Sequence, residues 1–189
     1  WKLFTPQKTN NDCSVATTVM LLQYHLRSQG LYVDSNRLYA FLAGEYDIPA
    51  NNPTTPYTTI TNELDELGIG YHVRDEPYRP ETAELLDEFL LQHGPAILNI
   101  PGSYKAGAEL NHYVVVYDIH QLDGYYYAEV GDPYADKGEY SFDRLDNGNF
   151  LVPYATLKGS YGNLFLWIEK PRTVRKIENL FQGSRNIPE

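Results

Sequence analysis

The sequence predicts an α+β fold in which an N-terminal helical part packs on a C-terminal antiparallel β-sheet. Before Gly94, apolar residues recur at helical spacing in several segments. After Gly94, short β-rich runs replace that pattern, and the dipeptide Asp123-Gly124 between two of the runs is a strong hairpin signal. Helices that precede strands in this way indicate an α+β domain rather than the alternation typical of a doubly wound sheet.

The first predicted helix begins at Cys13 and ends near Gly30, which can supply a left-handed cap. Asn11 or Asp12 is placed to cap its N-terminus. Three more helices are predicted, over residues 35–43, 58–67 and 80–93. Pro80 is expected to open the last of them, because proline is favoured in the first helical turn.

Four strands are predicted in the second half of the chain, over residues 95–100, 112–119, 125–130 and 164–169. Two irregular segments, 46–57 and 101–111, separate the regular elements. Long irregular segments beside a rigid site often contact ligands, so both are candidate walls of a binding cleft, although ordinary surface loops have the same composition.

The composition indicates one soluble globular domain, which we place at residues 1–171. A chain of 189 residues that is 42% hydrophobic is long enough for one sizeable core. The net charge is -10 and the basic residues form no stripe that could follow a phosphate backbone, so we expect no nucleic-acid partner. No run approaches the ~20 apolar residues that cross a bilayer. The oligomeric state stays open.

The ends of the chain are set apart from the fold prediction. The polar tail at residues 172–189 contains ENLFQGS, which resembles an engineered protease site. The chain begins with Trp1 instead of Met, and its first residues lack the pattern of a signal peptide. We therefore expect a processed chain, either secreted or excised from a larger precursor.

Cys13 is the candidate nucleophile. It is the only cysteine, which excludes an internal disulfide and a cysteine-rich zinc site. A lone cysteine is most often a small buried apolar residue. Here, however, the polar stretch KTNND precedes it, and it lies in the first turn of a helix, where unpaired N–H groups favour a thiolate. We therefore expect an exposed, reactive thiol.

His112 is the candidate base among the five histidines. It opens an apolar predicted strand directly after an irregular loop, a place where a side chain meets a cleft. His25 lies on the same helix as Cys13 but roughly 18 Å along it at 1.5 Å per residue. The other three are expected to be solvated or far from the site: His72, His93 and His120.

Asp132 is the candidate for orienting His112. Pairing the two strands outward from the predicted hairpin turn places His112 opposite a residue between 132 and 135. Asp118 lies on the same strand but about 20 Å away at ~3.3 Å per residue. A carboxylate bonded to an imidazole N–H keeps the ring in the tautomer that a Cys/His pair needs. Asp before Pro is also common in turns, so a structural role stays open.

Gln7 is the candidate for the oxyanion hole. Acyl transfer needs donors for the oxyanion, commonly the backbone N–H of the nucleophile together with a side-chain amide. Gln7 lies six residues before Cys13, in a segment too polar to be core. A surface glutamine would show the same pattern, so this spacing alone is weak support.

These residues together resemble a known family. Gln7, then QKTNNDCSVATTVMLLQYH, NHYVVVYD and EVGDPY, resemble the papain-like clan of cysteine peptidases, most closely the C39-like peptidases, over about residues 4–170. The resemblance implies a papain-like catalytic domain that needs no cofactor and no metal. It also implies that Gln7 lines the oxyanion hole, Cys13 is the nucleophile, His112 is the general base and acid, and Asp132 orients His112.

Two features depart from that pattern. Ser14 stands where family members usually have glycine, and a side chain there could narrow the approach to the thiol. The stretch PQKTNNDC also resembles the cysteine motif of ubiquitin-like-protein proteases, in which the histidine and aspartate precede the cysteine. The order in this chain argues against that subgroup.

The sequence therefore predicts a cysteine peptidase or a related amide hydrolase, with a peptide or protein as substrate. Two alternatives stay open. The same triad can carry deamidation or transglutamination, in which ammonia release or amine incorporation occurs without chain cleavage. The other alternative is a binding domain that keeps the fold but is catalytically idle, for which Ser14 is the only hint.

Overall fold

The computed structural model describes residues 4–8, 12–45, 57–75, 79–104, 111–134, 141–162 and 164–169. Within them lie five α-helices, which are α1 (Cys13–Ser28), α2 (Ser35–Glu45), α3 (Tyr57–Glu66), α4 (Ala83–His93) and α5 (Tyr154–Gly159). The strands are β1 (Tyr71–Arg74), β2 (Ala96–Pro101), β3 (Asn111–Leu122), β4 (Tyr125–Gly131), β5 (Asp143–Arg144), β6 (Phe150–Pro153) and β7 (Phe165–Ile168). A 3-10 turn, Gly102–Tyr104, follows β2.

The strands of the described residues form one sheet in the order β1-β7-β2-β3-β4-β6-β5, and each neighbouring pair is antiparallel. The long strand β3 pairs with β2 and β4, and α1 and α4 both pack against it. Its central residues, Val114 to Val116, are fully buried. The predicted α+β class is therefore confirmed.

Helix α1 is buried almost all round, since each residue from Cys13 to Gln23 is buried. Such a helix forms the centre of a core rather than a surface layer. Its polar residues are accommodated because the Thr17 hydroxyl donates to the Cys13 carbonyl and the Thr18 hydroxyl to the Ser14 carbonyl, both at 2.8 Å. The first turn of α1 is thereby built into the interior.

Helix α4 begins later than Pro80, so that part of the sequence prediction is wrong. The helix starts at Ala83, and the Thr82 side chain accepts a hydrogen bond from the N–H of Leu85 at 3.4 Å as its N-cap. The carbonyl of Pro80 instead accepts the Tyr154 hydroxyl at 2.5 Å. The helix therefore begins after Thr82, whose hydroxyl caps it, and the Pro80 carbonyl makes a tertiary hydrogen bond instead of a helical one.

The β3–β4 hairpin closes where it is predicted. Asp123 and Gly124 have φ values of 49° and 81°, which are the left-handed conformations that a two-residue turn needs. The paired register runs from Leu122 and Tyr125 at the turn to Val115 and Gly131 at the other end, with one irregularity in β3 before Asp118. Asp132 follows directly at the end of β4.

Some predictions fall outside the described residues. The proposed cleft segments extend through residues 46–56 and 105–110, and the tail lies within residues 170–189. The single domain at 1–171 stays a prediction. Among the described residues, no helix combines the length and the apolar content required to cross a membrane.

Candidate active site

The ends of β3 and β4 bring a histidine and an aspartate into contact. His112 Nε2 lies 2.6 Å from Asp132 Oδ1. The His112 side chain is 11% exposed and the Asp132 side chain 0%. The hairpin register explains the contact, because β4 ends at Gly131 and its next residue lies beside the start of β3.

Asp132 is held by two more donors. The Tyr104 hydroxyl donates to Oδ2 at 3.0 Å, and the backbone N–H of Tyr134 donates to Oδ1 at 2.9 Å. Burial by itself would raise the pKa of Asp132, but the charge and hydrogen bond of His112, together with the bonds from Tyr134 and Tyr104, outweigh burial and lower it. The buried carboxylate is therefore kept ionised.

Cys13 is the first residue of α1, and its thiol lies close enough to the His112 ring to contribute to the raised pKa of that ring. The expectation of an exposed thiol is wrong, since Cys13 is only 7% exposed. The reason is that α1 packs against β3, whose buried Tyr113 lies close to Cys13. The thiol nevertheless does not lie in a purely aliphatic core, because its neighbours include an imidazole and a phenol.

The His112 ring lies between two acidic partners. Burial alone would lower its pKa, but the charge and hydrogen bond of Asp132, followed by those of Cys13, raise the pKa from 6.5 to about 10. Since Nε2 faces Asp132, Nδ1 is the nitrogen left to face Cys13. The arrangement can hold a protonated ring at neutral pH and deliver its proton on the side of the thiol.

Gln7 is buried, with 5% exposure, and its backbone N–H donates to the carbonyl of Pro133 at 2.9 Å. The expectation that its segment lies outside the core is wrong, because Phe4 and Thr5 are buried as well. A solvated surface glutamine is thereby excluded. The contact with Pro133 brings the Gln7 backbone beside Asp132, the preceding residue.

Ser14 is fully buried within α1. A fully buried side chain cannot line an open cleft, so Ser14 does not narrow the approach to the thiol from solvent. The Ser14 side chain, which replaces the usual glycine, is therefore accommodated in the protein interior.

The other histidines lie away from this site. His25 is buried, His72 pairs with Glu169, and His120 lies 3.0 Å from Glu129. His93 is half-buried, and its ring packs against Trp167 with centroids 5.3 Å apart. Within the described part of the chain, no group of three or more His, Cys, Asp or Glu side chains could hold a metal ion.

Tyr104 is a site residue that the sequence analysis missed. Its backbone has a φ of 54°, which is uncommon for a non-glycine residue, and its carbonyl accepts the Ser160 hydroxyl at 2.7 Å. In a chain with 17 tyrosines, one more tyrosine in a loop gives no signal. Pairing 95–100 with 112–119 would have placed Tyr104 just beyond the strand end next to His112.

Comparison with known proteins gives matches among solved structures only. No protein-family profile matches the chain. No curated protein matches it in sequence. The peptidase domain of Streptococcus ComA, a bi-functional ABC transporter involved in a quorum-sensing pathway, is 16% identical with a TM-score of 0.57, covering 89% of this chain and 98% of that chain.

Two further structures are similar. A double glycine motif protease from an AMS/PCAT transporter, solved in complex with the leader peptide, is 18% identical with a TM-score of 0.52, covering 87% of this chain and 89% of that chain. The peptidase domain of Streptococcus mutans ComA is 15% identical with a TM-score of 0.51, covering 89% and 98%. At these identities the likeness shows the fold, and the fold implied by the resemblance to C39-like peptidases is confirmed.

Proposed function

We propose that the chain is a cysteine peptidase that acts through Cys13, His112 and Asp132, with Gln7 in the oxyanion hole. One observation carries the proposal: a buried imidazole lies 2.6 Å from a buried carboxylate, and a thiol at a helix N-terminus lies near enough to the same imidazole to help raise its pKa. Nucleophile, base and orienting group within hydrogen-bond reach are the signature of nucleophilic catalysis. The fold shared with peptidase domains supports the same function.

The proton positions follow from the contacts of His112. An ionised carboxylate can only accept hydrogen bonds, so Nε2 carries the hydrogen that Asp132 accepts. Nδ1 is then free to take the proton of the Cys13 thiol. The resulting imidazolium is stabilised by Asp132, and negative charge is favoured at the N-terminus of α1.

The reaction then proceeds in two halves. The Cys13 thiolate attacks the amide carbonyl, and the oxyanion receives hydrogen bonds from the Gln7 side chain and the Cys13 backbone N–H. His112 gives its proton to the leaving amine as the C–N bond breaks, which leaves a thioester on Cys13. Water attacks the thioester while His112 takes a proton from it, and the acid product leaves as the thiol is restored.

A peptide is the proposed substrate. One structural neighbour is a double glycine motif protease solved with a leader peptide. Peptides that contain a Gly-Gly pair are therefore the first substrates to test, with matched peptides in which Ala-Ala replaces the pair as controls. Addition of an amine and measurement of released ammonia in the same reactions distinguish transglutamination and deamidation from cleavage.

The test of the proposed function combines labelling with mutation. Iodoacetamide should label Cys13 at neutral pH, as located by mass mapping, and the rate should fall in His112→Ala. Cleavage should vanish in Cys13→Ala and fall about 100-fold or more in Gln7→Ala, because one oxyanion donor is lost. Cleavage that persists in Cys13→Ala would refute the proposal. An unreactive Cys13 would favour the idle binding domain.

A further inference from the structure

The Gln7 backbone is fixed at both peptide groups that flank its Cα atom. The N–H of Gln7 donates to the carbonyl of Pro133 at 2.9 Å. The next N–H, that of Lys8, donates to Asp12 Oδ2 at 3.3 Å and to the Tyr39 hydroxyl at 3.1 Å. Because these two groups bracket the dihedrals of Gln7, they set the direction in which its side chain leaves the backbone.

Both anchors adjoin the proposed triad. Pro133 directly follows Asp132, and Asp12 directly precedes Cys13. The hydrogen bonds therefore relate Gln7 to the orienting carboxylate on one side and to the nucleophile on the other. A segment fixed in this way meets the requirement that an oxyanion donor be placed before the charge develops.

Asp12 does not use its side chain as its position predicts. It is the N-cap residue of α1, where an aspartate usually accepts a hydrogen bond from the second or third N–H of the helix. Its side chain makes no such bond to α1, and the carboxylate bonds Lys8 and Tyr39 instead. Asp12 is 6% exposed and Tyr39 is 2% exposed, so the contact lies in the interior.

Tyr39 supplies the donor that completes this contact. Its hydroxyl donates to the same Asp12 oxygen that accepts the Lys8 N–H. Burial, and after it the hydrogen bond to Asp12, raises the pKa of the Tyr39 phenol above its usual value, so the hydroxyl keeps its proton throughout the neutral range. The Lys8 ammonium lies 4.5 Å above the Tyr39 ring centre.

We propose that Asp12 and Tyr39 are positioning residues for the oxyanion hole, holding the Gln7–Lys8 peptide group so that the Gln7 amide meets the oxyanion. The inference rests on the proposed function. It assigns a catalytic consequence to two buried side chains that do not touch the substrate. A merely structural role would instead change stability without changing the chemistry at the carbonyl.

Two reagents separate these possibilities. Iodoacetamide forms a carbon–sulfur bond with Cys13 and releases iodide, without any tetrahedral intermediate. p-Nitrophenyl acetate forms a thioester with Cys13 and releases p-nitrophenolate, and this reaction passes through an oxyanion. Both reactions depend on the reactivity of the Cys13 thiol, but only acylation depends on stabilisation of an oxyanion. The ratio of the acylation rate to the alkylation rate therefore measures how well the donors stabilise the oxyanion.

The proposal predicts the same pattern in several variants. Gln7→Ala should lower the ratio ~100-fold. Asp12→Ala, which removes the acceptor of both hydrogen bonds, and Tyr39→Phe should lower it roughly 10- to 100-fold while alkylation stays within about two-fold of the parent rate. The double variant Gln7→Ala with Tyr39→Phe should be no worse than Gln7→Ala alone, because both changes remove the same interaction.

A matched control tests specificity. Tyr71→Phe removes another tyrosine–aspartate hydrogen bond, from Tyr71 to Asp65 at 3.1 Å, and should leave the ratio unchanged. If Gln7→Ala lowers the ratio but Asp12→Ala and Tyr39→Phe do not, the inference is wrong while the proposed function stands. Equal losses of alkylation and acylation would also overturn it. A Gln7→Ala ratio equal to that of the parent removes both the Gln7 assignment and the inference, whereas cleavage by Cys13→Ala refutes the proposed function itself.

Folding does not obscure this test. Tyr39→Phe keeps the ring and removes one oxygen, so it is the decisive variant if Asp12→Ala is unstable. Thermal unfolding of each variant is measured alongside the rates. A Tyr39→Phe protein that unfolds at a lower temperature but keeps the parent ratio overturns the inference.

Discussion

The buried carboxylate of Asp132 has hydrogen-bond partners that offset the free-energy cost of burying its charge. A fully buried charge is costly unless it is paired and hydrogen-bonded. Asp132 accepts from His112, from the Tyr104 hydroxyl and from the N–H of Tyr134, so each carboxylate oxygen has a donor. The loss of one donor should therefore be felt both in the free energy of unfolding and in the orientation of His112.

Tyr104→Phe tests that expectation. The ring would keep its edge contact with Phe142, but Asp132 Oδ2 would lose its donor in a fully buried position. We expect a loss of about 1–3 kcal/mol in the free energy of unfolding. We also expect a fall of roughly 10-fold in kcat with KM unchanged, because the substrate is bound as before while the imidazole is less well held.

Tyr154→Phe is the matched control for this prediction. Its hydroxyl donates to the Pro80 carbonyl, so the variant removes a hydrogen bond of another buried tyrosine. A comparable loss of stability with unchanged kcat is expected. If both variants lower kcat equally, Tyr104 acts through stability alone. The measurements are denaturant unfolding and steady-state cleavage of the same peptide.

The pKa of His112 gives a second residue-scale prediction. The charge of Asp132 is the main influence that raises this pKa, and burial opposes it. In Asp132→Asn the pKa should fall, so the alkaline limb of kcat/KM against pH should move to lower pH, and kcat should fall ~10⁴-fold as it does when a triad aspartate is replaced. Glu129→Gln removes the carboxylate beside His120 and should leave the limb in place. An unmoved limb in Asp132→Asn would contradict the proposed pairing.

At the scale of elements, the sequence predicted those segments whose own pattern is strong. Four helices and the β3–β4 hairpin were predicted because helical periodicity and a two-residue turn are local signals. The short strands β1, β5 and β6 were not predicted, since segments of four, two and four residues become strands only by pairing with β7, β6 and β4. The short helix α5 was not predicted either. Asp12 is the N-cap residue of α1, but its side chain bonds Tyr39, a residue of another helix, instead of capping α1. This choice of partner depends on tertiary packing and was likewise not predictable.

The hairpin turn allows stability and chemistry to be separated. Gly124→Ala would put a side chain at a φ of 81°, and we expect a loss of about 1 kcal/mol or more in the free energy of unfolding. Asp123→Asn should be neutral or slightly stabilising, because Asn-Gly is a favoured pair in such turns. The turn lies about 35 Å from His112 along the strand, at ~3.3 Å per residue. Alkylation of Cys13 should therefore be unchanged in both variants, and a large change would indicate that the strand register had slipped.

At the scale of the whole molecule, the fold class was predictable from the sequence and the environment of the site was not. The order and spacing of Cys13, His112 and Asp132 along the chain are enough to suggest a site, and their catalytic roles stay predictions. The burial of Cys13 and Gln7 could not be predicted, because it depends on how α1 and the N-terminal segment pack against the sheet. Tyr104 was missed because one loop tyrosine among 17 gives no signal of its own.

Buried Glu63 should make the free energy of unfolding depend on pH. It lies on α3, is 1% exposed, and neither carboxyl oxygen makes a hydrogen bond of normal geometry with the described residues. Burial raises the pKa of Glu63 from 4.5 to about 8, with Thr18 opposing and the nearby Glu66 adding to the shift. The folded protein therefore keeps a proton on Glu63 that the unfolded chain releases at lower pH.

The sign of the resulting pH dependence follows from that proton. Between about pH 4.5 and pH 8 the folded state binds more protons than the unfolded state, so stability falls as pH rises. Glu63→Gln should remove this loss, which at ~1.4 kcal/mol per pH unit is at most on the order of 5 kcal/mol. The loss due to His112, whose pKa is raised from 6.5 to about 10, should remain in the variant. Denaturant unfolding from pH 4.5 to pH 10 measures both slopes, with exposed Glu88→Gln as the control. Parallel curves for Glu63→Gln and the parent chain would show that Glu63 is ionised in the folded protein at neutral pH.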